Sequence, residues 1–221
     1  MSIVEWCEGR VSRYEITNFI SEHTNSLSNI AFLIAPLYSS GENPECDNAI
    51  RMIGLGSFIF HATESYFGQL LDEIPMSLLA YFYFQIVCKM ANYGRIYNRL
   101  YSRTCLYNRI YLMTMLAVWI IYIKHKVYLL FVSFFFLQIS LPIYIVSTKI
   151  RKTEKQKKAL IKGSSCALFS VACWLYERHL YTDDNCPTDM LDFRYYLHSY
   201  WHFGMALAHY YFMVCIEQTG V

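Results

Sequence analysis

Long apolar runs, separated by short blocks of charged residues, make up most of the chain. A bilayer-spanning helix needs roughly 20 mostly apolar residues. The pattern therefore predicts an all-α fold, an integral membrane bundle of seven transmembrane helices, with six or eight spans as the alternatives. We place the helices at residues 24–41, 49–66, 71–91, 110–125, 127–148, 160–177 and 193–216. The run Lys124-His125-Lys126 predicts a tight turn between the fourth and fifth helices.

The predicted helices divide the chain into three parts. These are a lumenal N-terminal segment at 1–23, a transmembrane domain at 24–216 and a short cytosolic tail at 217–221. Charged residues are only 16% of the chain, whereas soluble domains carry about 25%. The alternative, a single soluble helical core, would have to bury nearly every apolar run. A formal net charge of +2 is too small to indicate nucleic-acid binding, and no obligate protein partner is predicted.

Lysine and arginine in the short loops predict the orientation, because basic loops are retained in the cytosol. The basic residues of the loops after the third and fifth helices are Arg95, Arg99, Arg103, Arg109, Lys149, Arg151, Lys152, Lys155, Lys157, Lys158 and Lys162. The loop before the seventh helix is instead acidic and contains Asp183, Asp184, Asp189 and Asp192. The N-terminus is therefore predicted to be lumenal or extracellular, and the C-terminus cytosolic.

Two cysteines in polar segments, Cys7 and Cys186, are then predicted on the same oxidising side of the membrane. A disulfide between them would tie the N-terminal segment to the loop before the seventh helix. Two unrelated free thiols are the alternative. Most of the other cysteines lie in apolar runs, where a small buried hydrophobic side chain is the ordinary role.

Ionisable residues inside a membrane are costly and mark functional positions. His198 and His202 are four residues apart, so both imidazoles lie on one helix face about 6 Å apart along the axis, which suits two ligands of one metal ion. Ser57 and His61 have the same spacing on the second helix. Asp72 follows the turn after that helix and returns to the depth of His61. In the predicted topology all of these residues lie in the lumenal half of the bundle.

Three neutral histidines with an open fourth position are typical of catalytic zinc. Zinc lowers the pKa of a bound water to about 7. A carboxylate such as Asp72 would accept the proton, and a hydroxyl such as Ser57 would donate to a developing oxyanion. Two alternatives stay open: the histidine pair could form hydrogen bonds between helices, and Asp72 could cap the third helix. His209 is interpreted as a packing residue or a support for the ligands.

Several sequence patterns resemble the alkaline ceramidase family. They are Ser57-x-x-x-His61, Leu70-Leu71-Asp72-Glu73-Ile74-Pro75-Met76, His198-x-x-Trp201-His202, Trp6-Cys7-Glu8 and Asn25-Ser26-Leu27-Ser28-Asn29. The likeness extends in order from about residue 5 to residue 212. The Asp-Glu-x-Pro-Met element discriminates best, because the adiponectin-type receptors of the wider superfamily share the Ser, His and Asp arrangement but not this element.

The resemblance implies a seven-helix, multi-pass protein of the endoplasmic reticulum or Golgi membrane. It implies hydrolysis of the amide of ceramide, a lipid substrate taken from the bilayer, to sphingosine or a related sphingoid base and a free fatty acid. The resemblance implies that zinc is bound by His61, His198 and His202. It also implies that Asp72 activates the water and that Ser57 assists. The resemblance also implies a disulfide between Cys7 and Cys186 and places Trp201 in the substrate pocket.

The resemblance further suggests a calcium ion near the N-terminus, held by Glu5, Trp6, Glu8 and Glu22. Arg10 stands where the family has Asn, Glu5 replaces Asp, and the segment up to Glu22 is about three residues longer than is usual. Calcium takes 6–8 oxygen ligands, and a guanidinium beside it would remove a ligand and repel the ion. A calcium site and an acidic patch without an ion both remain open at this point.

Two other functions compete with ceramide hydrolysis. A receptor or regulatory protein of the same superfamily would carry a related zinc site, but its mark is a long cytosolic N-terminal domain, whereas a short lumenal segment is predicted here. A transporter that uses the histidines as a proton relay would show broken helices with paired Gly or Pro, which the sequence does not predict.

Overall fold

The computed structural model describes residues 2–92 and 97–217, and these residues form helices and connecting turns with no strand. Arg95 and the part of the predicted tail beyond Glu217 lie outside the described residues. The α-helices are α1 Cys7–Val11, α2 His23–Ser28, α3 Ile30–Ile34, α4 Pro44–Thr63, α5 Tyr66–Asn92, α6 Tyr97–His125, α7 Tyr128–Lys149, α8 Glu154–Thr182 and α9 Leu197–Glu217. Two 3₁₀ turns, Ala35–Tyr38 and Phe193–Tyr196, precede α4 and α9.

Within the described residues, four helical segments are long and apolar enough to span a bilayer. They are Tyr66–Ala91, Leu106–His125, Tyr128–Lys149 and Glu154–Thr182. Large apolar side chains on their surfaces, such as Leu129, Leu137 and Leu168, are about 70% exposed, as expected for residues that face lipid rather than water. The chain is therefore an all-helical membrane protein with four candidate spans. The predicted spans at 49–66 and 193–216 are mostly helical, in α4 and α9. These two helices contain more polar residues and are not among the four candidate spans. The count of seven spans therefore stays a prediction.

The prediction of one continuous helix at 24–41 is wrong. The segment is divided into α2, α3 and a 3₁₀ turn. The side chains of Ser28 and Asn29 both donate to the backbone carbonyl of Asn25 at 2.9 Å, and such bonds compete with the regular helical pattern. Pro36 then enters the 3₁₀ turn without an N–H group to donate.

The chain divides into two compact units, and the first comprises Met1–Pro75 and Lys152–Val221. In this unit the segment before α2 pairs with the C-terminal end of α4. The N–H groups of Ser21 and Glu22 donate to the carbonyls of Ala62 and His61 at 3.0 Å each. These bonds satisfy carbonyls that a helix end leaves without a helical partner.

Close helix contacts in the first unit occur at glycines. A Cβ on Gly56 of α4 would lie 2.1 Å from the carbonyl oxygen of Leu71 on α5. Pro75, four residues further along α5, has no N–H to donate to that same carbonyl, so the Asp-Glu-x-Pro-Met element and Gly56 meet at one point of the helix pair. A Cβ on Gly204 of α9 would likewise lie 2.0 Å from Oγ of Ser170 on α8.

The second unit, Met76–Arg151, has an aromatic core between α6 and α7. The rings of Trp119 and Tyr122 each lie 5.6 Å from the ring of Phe131, which stacks on Phe135 at 5.9 Å. Lys126 has a φ of 54° between the two helices, in agreement with the tight turn predicted there.

Candidate metal centre

Three histidines from two helices of the first unit converge on one point. His61 is in the last turn of α4, and His198 and His202 are in the first two turns of α9. The ring centroids are 4.8 Å apart for His61 and His198, 5.2 Å for His61 and His202, and 4.7 Å for His198 and His202. All three residues are at least 97% buried. The sequence prediction thus named three residues that the fold brings together.

Each imidazole is oriented by a group at its Nδ1 atom. His61 Nδ1 pairs with the carboxylate of Glu22, and His198 Nδ1 lies 2.9 Å from Oε2 of Glu177. His202 Nδ1 lies 2.7 Å from Oγ of Ser28, whose single hydroxyl hydrogen is donated to the carbonyl of Asn25. Because carboxylates and this committed hydroxyl accept, the Nδ1 atoms carry hydrogen.

The Nε2 atoms are therefore the available ligands, since a neutral imidazole with hydrogen on Nδ1 has its lone pair on Nε2. His61 Nε2 is buried and has no hydrogen-bond partner among the described residues. One ligand atom from each histidine lies within 4.8 Å of the others. Three neutral imidazoles, each with a hydrogen-bond partner at Nδ1, match the donor set that is typical of catalytic zinc, so the residues present fit that ion.

The carboxyl and hydroxyl predicted for catalysis lie beside His61. Asp72 on α5 accepts a hydrogen bond from the Ser57 hydroxyl on α4 and interacts electrostatically with His61. Ser57 is buried and Asp72 is half-buried. The close approach at Gly56 positions this pair, because residues 56 and 57 face 71 and 72 across the helix contact.

A chain of tryptophan rings begins beside His198. The indole of Trp6 lies 4.0 Å from the His198 ring, centroid to centroid. Trp6 also contacts Trp174, which packs against Trp201 at 6.1 Å, so the residue predicted to line the substrate pocket belongs to a chain of three indoles. His209 is buried on α9 but is not part of the three-histidine group.

Cys7 and Cys186 form a disulfide with their Cα atoms 5.3 Å apart. The bond joins α1 to the loop before α9. The backbone N–H of Cys7 also donates to Oε1 of Glu177 at 3.3 Å, so the disulfide lies one hydrogen bond away from the carboxylate that supports His198.

The residues suggested for calcium do not fit that ion. Both oxygens of Glu8 are occupied at the start of α2, by the N–H and hydroxyl of Thr24 and the N–H of Asn25, at 2.7–2.8 Å. Glu22 Oε2 pairs with His61 and accepts from Asn25 Nδ2 at 3.1 Å. Glu5 Oε2 accepts from the hydroxyl of Tyr181 at 2.6 Å.

The environment of Glu22 is dominated by burial. Burial raises the pKa of the Glu22 carboxyl well above its usual range; the hydrogen bond from Asn25 lowers it, and the neighbouring carboxylates of Glu8 and Glu64 raise it further. A divalent cation at the three histidines would favour the ionised form instead, because the ion is the largest local charge.

Sequence reasoning missed all three supports of the histidines, because Glu22 was considered only as a calcium ligand and Glu177 and Ser28 were given no role at the site. The predicted helix 160–177 puts Glu177 at its end, whereas α8 continues to Thr182 and Glu177 lies inside it. An acidic residue in an apolar helix is itself a signal of function. Ser28 carried no such signal, because its role depends on the break between α2 and α3.

The fold and the site together define an all-helical membrane protein with a buried three-histidine centre and an adjacent carboxyl group. The chain belongs to the ceramidase family, whose sequence profile, described as Ceramidase, matches residues 1–221. It is accordingly a hydrolase of amide bonds, and the resemblance drawn from its motifs is confirmed.

Curated relatives agree with the family match. The chain is 28% identical over 216 residues to alkaline ceramidase 1 of Mus musculus, covering 91% of this chain and 74% of that protein. It is 27% identical over 226 residues to alkaline ceramidase 1 of Homo sapiens, covering 96% and 81%. It is 26% identical over 229 residues to the alkaline ceramidase of Drosophila melanogaster, covering 95% and 74%.

Proposed function

We propose that the protein is a zinc-dependent amidohydrolase that cleaves ceramide within the membrane, giving a sphingoid base and a free fatty acid. The observation that carries the proposal is the convergence of His61, His198 and His202, each oriented through Nδ1, beside the Ser57–Asp72 pair. Membership of the ceramidase family supplies the substrate class.

The three Nε2 atoms would hold zinc, which when bound supplies Lewis acidity for an amide carbonyl and acidifies water. Asp72 accepts the proton of the attacking water and returns it to the amide nitrogen that leaves, because it interacts electrostatically with His61 and is not committed to orienting a histidine. Ser57 assists by holding Asp72 in place, because its hydroxyl donates its hydrogen to that carboxyl. Glu22, Glu177 and Ser28 keep the imidazoles in the tautomer that binds metal.

The same proposal includes the membrane arrangement. Seven spans, with the segment 1–23 lumenal and 217–221 cytosolic, would place the centre in the lumenal half of an endoplasmic reticulum or Golgi membrane. A lipid with two chains would reach the centre from the bilayer rather than from water. Exposed apolar side chains on the candidate spans support burial of those helices in lipid.

Hydrolysis of a ceramide panel by purified protein tests the proposal, with the zinc content measured on the same samples. We expect wild type to release fatty acid, to lose activity when a chelator removes the metal and to regain it with zinc. His198→Ala should lose zinc and activity together. Asp72→Asn should keep its zinc but turn over at least about 100-fold more slowly, the typical loss on removal of a general base.

Matched controls separate these effects from the general cost of mutation. His179→Ala removes an exposed histidine of α8, and Asp189→Asn neutralises an exposed carboxylate, so both should retain zinc and turnover. A folded, zinc-loaded wild type that hydrolyses no ceramide would disprove the catalytic proposal. A folded wild type that binds no zinc would disprove the metal assignment.

A further inference from the structure

Four carboxylates surround the junction between the N-terminal segment and the end of α4. This acidic cluster consists of Glu5, Glu8, Glu22 and Glu64. Glu8, Glu22 and Glu64 are more than 90% buried, and the Glu5 side chain is 32% exposed. Buried charges are stable only when they are paired or bound to a metal, so the carboxylates of the cluster that stay ionised require a positive partner.

The oxygens of the acidic cluster are mostly occupied by donors of the chain itself. Both oxygens of Glu8 accept hydrogen bonds at the start of α2, and Glu64 Oε1 accepts from Ser21 Oγ at 2.7 Å. Within the described residues, Glu22 Oε1 is the one oxygen of these buried carboxylates without a hydrogen-bond partner. One available oxygen falls far short of the roughly 6–8 that calcium takes.

A guanidinium group lies where the cluster needs a cation. Arg13 forms an ion pair with Glu64 through Nη2, and the same atom lies 3.8 Å from Oε1 of Glu5. Its Nε donates to the carbonyl of Gly9 at 3.1 Å. Arg13 thus contacts two carboxylates and a carbonyl, the kinds of oxygen that a hard cation would bind.

Arg10 lies elsewhere, although it is the arginine that stands where the family has Asn. It pairs with Asp184 at 2.8 Å and donates to the carbonyl of Tyr181 at 3.0 Å. Arg178 approaches from α8 and donates to the carbonyl of Glu5 at 2.6 Å, while its guanidinium lies over the Trp6 ring. Arg13 is therefore the arginine that joins Glu5, just before α1, to Glu64, just after α4.

We propose that Arg13 is the resident cation of the acidic cluster and replaces a divalent ion there, so that the protein is stable without calcium. The consequence reaches the metal centre through the backbone. Arg13 ties the loop between α1 and α2 to Glu64, and the end of that loop pairs with the carbonyls of His61 and Ala62. Arg13 is in this sense a positioning residue for His61 and has no contact with the reacting groups.

Thermal unfolding with a calcium titration tests the proposal. The protein is purified in detergent, freed of divalent ions on a chelating resin and reloaded with one equivalent of zinc. We expect wild type to show the same Tm with and without calcium chloride and to bind no calcium in a direct metal assay. Arg13→Gln, which removes the charge but keeps hydrogen-bonding groups, should lose about 3 °C or more, as for the loss of a partly buried contact in a chain of this size.

Two comparisons of Tm test whether Arg13 acts as a cation: one between variants with and without a charge at this position, and one with and without calcium. Arg13→Lys should retain most of the wild-type Tm, whereas Arg13→Gln should recover Tm in a saturable way when calcium is added. Arg10→Ala, the matched control from the same segment, should leave the protein insensitive to calcium.

Four results would overturn the proposal. They are a wild type that binds calcium and gains Tm, an Arg13→Gln protein as stable as wild type, an Arg13→Gln protein that is destabilised but does not respond to calcium, and an Arg13→Lys protein no more stable than Arg13→Gln. If Arg13→Gln fails to fold, the proposal is still tested by the calcium titration of wild type and by the Tm of Arg13→Lys. Calcium binding by wild type, or an Arg13→Lys protein that also fails to fold, would overturn it.

Discussion

Nδ1 of His198 lies 2.9 Å from Oε2 of Glu177, and both side chains are buried. The two residues come from α9 and α8, so the contact fixes the imidazole relative to a second helix. The other carboxylate oxygen accepts from the backbone N–H of Cys7, which leaves Glu177 little freedom to turn away. A carboxylate behind a metal-binding histidine fixes the tautomer and raises the basicity of the ligand nitrogen.

Glu177→Gln should therefore weaken zinc binding by roughly 10- to 100-fold, the usual loss when such a support is removed. The amide keeps the size of the side chain but removes the charge that favours a cation nearby. Zinc affinity is measured by competition with a chromophoric chelator at fixed pH. Glu154→Gln, at an exposed position of the same helix, is the matched control and should bind zinc as wild type does. Equal affinities for the two variants would contradict the role of Glu177.

Ser28→Ala should also weaken zinc binding, but by less than Glu177→Gln does. The Ser28 hydroxyl bridges Nδ1 of His202 and the carbonyl of Asn25, and it is neutral. Its loss removes orientation but no charge, so we expect a decrease in zinc affinity of less than roughly 10-fold, below the range for a charged support. Ser39→Ala, a partly buried serine hydroxyl elsewhere in the chain, should leave zinc affinity unchanged. The prediction is wrong if Ser28→Ala weakens zinc binding more than Glu177→Gln does.

The sequence predicted the three histidines that the fold brings together because their signal is local. Histidines four residues apart share a helix face, and the position of Asp72 after a short turn returns it to the depth of His61. The supports of those ligands were not predictable in the same way. Ser28 reaches His202 only because the apolar run at 24–41 breaks, and the break follows from hydrogen bonds of Ser28 and Asn29 to the backbone, which hydropathy does not measure.

The position of Arg13 was likewise not predictable from the sequence. Comparison with the family's N-terminal pattern drew attention to Arg10, because it occupies a position where a ligand is expected. The side chain that contacts the acidic cluster comes instead from the longer loop, three residues further on. An inserted loop changes which residue faces a site, and only the folded chain shows the result. The long apolar helices, by contrast, were predictable because length and composition alone define them.

Reduction of the disulfide should destabilise the first unit and lower activity. The Cys7–Cys186 bond closes a sequence separation of 179 residues, and loss of a native disulfide costs about 2–5 kcal/mol. The double variant Cys7→Ser/Cys186→Ser should have a lower Tm than wild type, and dithiothreitol should not lower it further. It should also bind zinc more weakly, because the N–H of Cys7 helps to hold Glu177 behind His198. Cys166→Ser, which changes a free cysteine, should keep both the wild-type Tm and its sensitivity to reductant. A wild type whose Tm is unaffected by dithiothreitol under conditions that release both thiols would contradict the prediction.

Gly56→Ala tests the contact that positions Asp72. The added methyl would lie 2.1 Å from the carbonyl oxygen of Leu71, which is backbone and cannot rotate away, so α4 and α5 must separate. Overpacking of this kind costs about 1–3 kcal/mol. A displacement near 1 Å can lower turnover by roughly 100-fold, so we expect kcat to fall much more than zinc occupancy, since the three histidines come from α4 and α9. In Gly163→Ala the nearest atom, Cβ of Tyr211, is 3.2 Å away, so this control should lose little Tm and little turnover. If Gly56→Ala retains wild-type kcat, the α4–α5 contact does not set the position of the proposed base.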